Sequence, residues 1–192
     1  MRMPSTIGLA LFLALGLTAT WLAGAAPAAE EEKSFSIGDG AYSMPFPTGW
    51  TRKPPKFNLI EHEFEAPASE GDEKPGRATI SNSGGTIEAN IDRWYGQFRQ
   101  PDGSSTKDKA KIENKKIADS DVTIVDITGT YDDKVAPFSP MPGVQREGYR
   151  MLAAVVATKK AGNYYIKFYG PKKTIGDQEE SFKKMVEGLQ AK

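Results

Sequence analysis

The stretch Ser81-Asn-Ser-Gly-Gly-Thr-Ile-Glu-Ala-Asn-Ile-Asp-Arg-Trp-Tyr-Gly-Gln-Phe98 constrains the fold most. Arg77–Ser81 reads as a short strand. Gly84 and Gly85 then permit a positive-φ turn, and an amphipathic helix begins. At 3.6 residues per turn, Ile87, Ile91, Trp94 and Phe98 fall in one stripe, the pattern of a helix packed on a sheet. Tyr95 flanks the stripe on one side, Asn90 and Gln97 on the other, with Arg93 just beyond. Thr86 or Gly85 is the candidate N-cap, and Glu88 lies near the positive end of the helix dipole.

Amides at the edge of a buried stripe need hydrogen-bond partners. Asn90 and Gln97 can therefore clamp loop backbone. Alternatively Asn90, Arg93, Trp94 and Gln97 form a binding edge, because spacings of three, four and seven make one continuous helical row. Arginine beside an aromatic is typical of recognition surfaces. The expected partner is an envelope protein or an anionic envelope ligand, and Arg93 is expected to be the most accessible of the row.

The rest of the chain alternates strands and turns. Phe35–Met44 is extended, and Pro45–Trp50 is a turn in which Trp50 closes one end of the core. Thr51–Lys56 reads as a basic loop. Over Asn58–Ala66, Ile60, His62 and Phe64 alternate with Glu61, Glu63 and Glu65, as in a strand with one charged face. Arg99–Lys111 reads as a polar loop, Lys111–Ile117 as a short strand and Val122–Tyr131 as a stronger one. Asp132–Gly148 is expected to be a long loop. Tyr149–Thr158 is almost wholly apolar, as in a central strand covered on both faces, and Tyr164–Tyr169 is its hairpin partner. Thr174 is expected to cap a last helix whose stripe is Phe182, Met185, Val186 and Leu189. Strands, helix, antiparallel strands, helix: the order predicts an α+β domain, one antiparallel sheet with helices packed on it.

Basic and acidic residues balance at 25 each, which argues against a nucleic-acid partner. The chain has no cysteine and one histidine, His62, so thiol chemistry is excluded and any metal would rest on Asp and Glu. No cofactor motif is present. Gly84-Gly85 lacks the second glycine spacing and the Lys-Ser/Thr of a phosphate loop. Asp132-Asp133 and Asp119 with Asp121 lack the ligand spacing of a calcium loop and read as solvated turns.

Residues 1–29 read as a secretion signal: Arg2, an apolar core over Ile7–Leu17, and the small-x-small site Ala26-Pro27-Ala28. The alternative is an uncleaved membrane anchor. Residues 30–41 are then a flexible tail and 42–192 a single domain, exported to the periplasm or beyond.

Three blocks carry a resemblance: Phe46-Pro47-Thr48-Gly49-Trp50, the hairpin strand Gly162–Pro171, and the Ser181-Phe182 helix. Together they resemble the Mog1/PsbP-like fold, an α/β/α sandwich also used by DcrB-type envelope proteins. Gly84-Gly85, Ala89-Asn90, Arg93–Gln97 and Arg150–Ala154 resemble, more narrowly, a family of secreted bacterial proteins with no assigned activity. With no catalytic or cofactor motif in view, the leading expectation is a non-catalytic secreted or periplasmic binding or assembly module. The competing expectation is a small envelope hydrolase or ligand-binding enzyme using a cleft beside Trp94. A flat, closed surface would favour the first and a cluster of polar groups under the Asp132–Gly148 loop the second, and the most informative observation is whether a concave pocket lies beside Asn90, Arg93 and Gln97.

Overall fold

A computed structural model describes residues 33–82, 84–134 and 139–192. The expected signal over 1–29, Ser83 in the glycine turn and loop residues 135–138 lie outside the described residues. The described chain opens with strands β1 (Ser34–Ile37), β2 (Tyr42–Pro45), β3 (Thr51–Lys53), β4 (His62–Ala66) and β5 (Gly76–Ser81). Helix α1 (Ile87–Tyr95), strand β6 (Phe98–Arg99), helix α2 (Thr106–Lys109) and the hairpin β7 (Lys111–Ile117) and β8 (Ser120–Asp133) follow. The long strands β9 (Val144–Thr158) and β10 (Gly162–Pro171) precede α3 (Lys172–Asp177), α4 (Glu179–Glu187) and β11 (Gln190–Ala191).

Among the described residues the main sheet has eight strands in the order β3-β4-β5-β10-β9-β8-β6, with β7 also on β8. Every pairing in it is antiparallel. The apolar β9 and its partner β10 lie at the centre, where both faces can be covered. On one face Phe64, Ile80, Ile124, Leu152, Ile166 and Phe168 pack under the β1–β2 hairpin and under Ile175, Phe182, Met185, Val186 and Leu189 of the C-terminal helices. On the other, Val125, Ile127, Met151, Ala153, Val155 and Tyr165 pack under Ile91, Trp94 and Tyr95 of α1. The result is the expected α+β arrangement.

The second face is covered only in part. Beyond β10 its outward residues are Arg77, Thr79 and Ser81 on β5 and Glu63 and Glu65 on β4, each opposite its neighbour in register. No apolar stripe could cover such a row without burying unpaired charge. That half of the sheet is therefore the base of a cleft.

Several local expectations are corrected. Phe98 is not helical: α1 ends at Gly96, and Phe98 pairs with Tyr131 as strand β6. The stretch 34–37, within the expected tail over 30–41, is strand β1, with Ile37 fully buried and Phe35 nearly so. Thr51–Lys53 is edge strand β3, not loop. The strand expected from Asn58 starts only at His62, because a turn intervenes in which the Ile60 N–H donates to the Phe57 carbonyl. The expected loop Arg99–Lys111 holds strand β6 and the short helix α2. The long loop expected over Asp132–Gly148 is strand at both ends: Asp133 pairs with Val144, so β8 and β9 run on as two arms. The described prolines Pro140 and Pro142 are confined to the turn between the arms. Thr174 does not cap a helix. It sits buried within α3, where its N–H and hydroxyl both donate to Asp72 Oδ2, at 2.9 and 2.7 Å.

Candidate functional site

Helix α1 ends the covered half of the sheet and forms one wall of the cleft. Thr86 caps it, its hydroxyl oxygen accepting from the Ala89 N–H at 3.1 Å. Gly85 turns the chain into it at φ 101°, a left-handed value suited to glycine. Asn90 is buried, and its amide donates to the Thr86 carbonyl at 2.9 Å while its Oδ1 accepts from Arg93 at 2.9 Å. Trp94 packs edge-on against Tyr165. Arg93 is exposed. All four residues expected at the binding edge, Asn90, Arg93, Trp94 and Gln97, line a single cleft of about 870 Å³.

The opposite wall is the loop after β3, with Lys56, Phe57, Leu59 and Ile60; the far end is the β8–β9 arms, with Asp132, Asp133, Val144 and Arg146. Across the base runs a polar row. Arg77 grips Glu63 with two hydrogen bonds, Nε to Oε1 at 2.8 Å and Nη2 to Oε2 at 2.9 Å, and donates from Nη1 to the Tyr169 hydroxyl. Glu63 is sealed by the guanidinium lying on it rather than by depth in the protein, and is only 3% exposed. Burial works against its charge, but Arg77 and the Lys56 N–H more than offset this and hold the carboxyl below its usual range. Burial likewise opposes the Arg77 charge, and Glu63 with Tyr169 outweighs it, so Arg77 is held firmly cationic. Burial, followed by the neighbouring Tyr169, pushes the Tyr131 phenol up.

Beside this pair stands Lys167 on β10, opposite Ala153 on one side and Thr79 on the other. Its ammonium donates to Gln97 Oε1 at 2.7 Å and lies 5.1 Å from the Tyr169 ring centre. Among the described residues no carboxylate pairs with it. Its stem keeps some contact with solvent along the cleft. The charged end is crowded, and that end titrates: burial first, then Arg77 and Arg93, push it down to about 7.

The cleft is lined by eight cationic side chains, Lys53, Lys56, Lys74, Arg77, Arg93, Lys134, Arg146 and Lys167, against four carboxylates, Glu63, Glu65, Asp132 and Asp133. The carboxylates are each engaged, by Arg77, Lys53, Lys134 and Arg146 respectively. In a chain of formal net charge +0 that excess is local. Clefts lined by one sign of charge concentrate ligands of the other.

The remaining candidates lie elsewhere. His62 faces the opposite side of the sheet; its Nε2 donates to the Ser36 carbonyl at 2.8 Å, which leaves Nδ1 of the neutral ring to accept from Arg52. Asp119 and Asp121 are exposed at a turn. Asp132 Oδ1 accepts from the Gly143 N–H at 2.7 Å and from Gln145 at 2.8 Å. Among the described residues no three acidic or histidine side chains group as metal ligands, and no helix is long and apolar enough to cross a membrane.

Sequence reasoning missed Glu63, Arg77 and Lys167. One signal for Lys167 was present: it is the lone charge within Tyr164-Tyr-Ile-Lys-Phe-Tyr169. Glu63 and Arg77 gave none, because their pairing depends on the register between β4 and β5.

No protein-family model matches the chain, and no curated protein matches it significantly. Among solved structures, the chain is similar to cyanobacterial PsbP from Synechocystis sp. PCC 6803, with TM-score 0.48 and 11% identity over 88% of this chain and 98% of that one. It is similar to LpqN of Mycobacterium tuberculosis, described as involved in cell envelope biogenesis, with TM-score 0.48 and 10% identity over 82% and 88% of the two chains. A protein from Bacteroides thetaiotaomicron VPI-5482 gives TM-score 0.48 and 16% identity over 85% of this chain, which spans only 49% of that protein's length. PsbP is a namesake of the fold that the sequence resembles, and at these scores the likeness goes no further.

Proposed function

We propose that this chain is a non-catalytic, exported binding module whose cleft takes an anionic ligand. The observation that carries this reading is the excess of cationic side chains around a concave site in a chain without net charge. Arg93, exposed on the wall, meets the ligand. Trp94 and Gln97 shape the wall, and Asn90 holds the start of α1 in place. A concave site favours a small ligand over a flat assembly surface. A hydrolytic reading has less support: Glu63 is committed to Arg77, and His62 lies across the sheet from the cleft.

Export follows from the signal-like residues 1–29. N-terminal sequencing of the mature protein is expected to start near Ala29 or Glu30, and a mature chain starting at Met1 overturns cleavage. Binding is tested by titrating the protein with decanoate and with inorganic phosphate at low salt. Lys56 and Lys74 are exposed on the rim, so the double variant Lys56→Glu/Lys74→Glu changes charge without disturbing packing. Binding of either anion that weakens in this variant supports the reading. Binding of neither, or binding indifferent to the reversal, overturns it.

A further inference from the structure

The charge in the cleft is not spread evenly. Arg77 on β5 at its base and Arg93 on the α1 wall both bear electrostatically on Lys167 of β10. Among the described residues Lys167 pairs with no carboxylate, and both oxygens of the nearby Glu63 are taken by Arg77. Lys167 is therefore a crowded ammonium whose hydrogen-bond acceptor among the described residues is the uncharged Gln97 carbonyl. Among the described residues the groups facing it include no anion: Arg77 from β5, Arg93 from α1, Gln97 just after α1, Tyr131 from β8, Tyr169 on its own strand and the apolar Ala153 on β9. A desolvated cation of this kind is stabilised when an oxyanion comes to it.

The mouth adds exposed apolar surface beside the rim lysines. Leu59 is 58% and Val144 is 56% exposed, two of the most exposed large apolar residues described, and both line this cleft, Leu59 on the wall opposite α1 and Val144 at the far end. Phe57, Ile60 and the Tyr149 ring, stacked 6.0 Å from Tyr131, continue apolar surface between mouth and base. Isolated exposed apolar residues need no explanation, but a set converging on one cationic cleft does.

We infer that the cleft takes an amphipathic acid head first: a compact oxyanion, carboxylate or phosphate, lies at Lys167 beside Arg77 and Arg93, and the ligand's apolar part runs out past Tyr149 to Leu59 and Val144. This rests on the anionic-ligand reading above and adds the ligand's class and orientation. Because the head meets an ammonium that readily gives up its proton, binding is stronger with Lys167 protonated and weakens above neutral pH.

The test is titration calorimetry of the exported chain with decanoate, with acetate and inorganic phosphate as heads without tails, and with decyl maltoside as a tail without charge. Decanoate is expected to bind at least about tenfold more tightly than either head alone, and decyl maltoside not to bind. Between about pH 6 and 8.5, where decanoate stays ionised, its affinity should fall about tenfold, one pH unit of proton linkage being a factor of ten. Lys167→Met should weaken decanoate about tenfold and abolish the pH dependence. Leu59→Ser/Val144→Ser, at exposed positions that do not threaten folding, should remove most of the advantage of decanoate over acetate. If phosphate or acetate binds as well as decanoate, the amphipathic inference falls and the anionic reading stands. If decanoate binding is indifferent to Lys167→Met, the head subsite is overturned. If decyl maltoside binds as tightly as decanoate, or nothing binds, both readings fall.

Discussion

The Lys167 ammonium and the Gln97 side-chain carbonyl meet at 2.7 Å, tying the central strand β10 to the end of helix α1 over the base of the cleft. Neither residue is notable alone. Joined, they fix a cation where the sheet loses its helical cover, and the testable consequences radiate from that point.

Stability should depend on pH through Lys167. Its folded pKa is lowered to about 7, whereas the unfolded value is about 10.4. Between these values the unfolded chain binds more protons, so stability rises with pH across that window. The ceiling is about 1.4 kcal/mol per pH unit, and water at the cleft mouth reduces it. Denaturant melts from about pH 7 to 9, below the range of tyrosine ionisation, should show a gain of about 0.5–1.5 kcal/mol that is absent in Lys167→Met.

Glu63→Gln should destabilise the protein by about 1–3 kcal/mol. Removing one partner of a buried ion pair costs about 3–5 kcal/mol, and Arg77 keeps 28% of its side chain exposed, which softens the loss. The lowered Glu63 pKa means that this contribution is present above the unfolded carboxyl value of about 4.3 and lost on acidification. The destabilisation measured near pH 7 should therefore shrink towards pH 3.

Asn90 and Arg93 should separate by mutation. Asn90→Ala removes a buried amide that holds the Thr86 carbonyl and should cost about 1–3 kcal/mol. Arg93→Ala, at an exposed site, should change stability by about 0.5 kcal/mol or less while weakening anion binding. Melting and decanoate titration of both variants test this, and equal destabilisation would mean that the whole row is a structural clamp.

Trp94→Ala should cost about 3–5 kcal/mol, as for other large buried aromatics. Trp94 is 3% exposed and packs on Tyr165. A loss below about 1 kcal/mol in chemical denaturation would show that α1 contributes little to holding the sheet.

The sequence by itself determined the elements whose period is local. The stripe of Ile91 and Trp94, the Thr86 cap, the apolar β9 and the Phe182–Leu189 stripe all follow from spacing and side-chain chemistry within about a dozen residues. They predict an antiparallel sheet with helices packed on it. Register was not legible, because shifting one strand by one residue exchanges its two faces. Only the tertiary structure decided that Glu63 lies two strands from Lys167 with Thr79 between them, and that Arg77 reaches across from β5 to Glu63. The sequence placed Asn90, Arg93, Trp94 and Gln97 on one edge; what that edge borders depends on residues as far away as Lys167, 70 positions from Gln97, and distant charge meets only when the sheet closes.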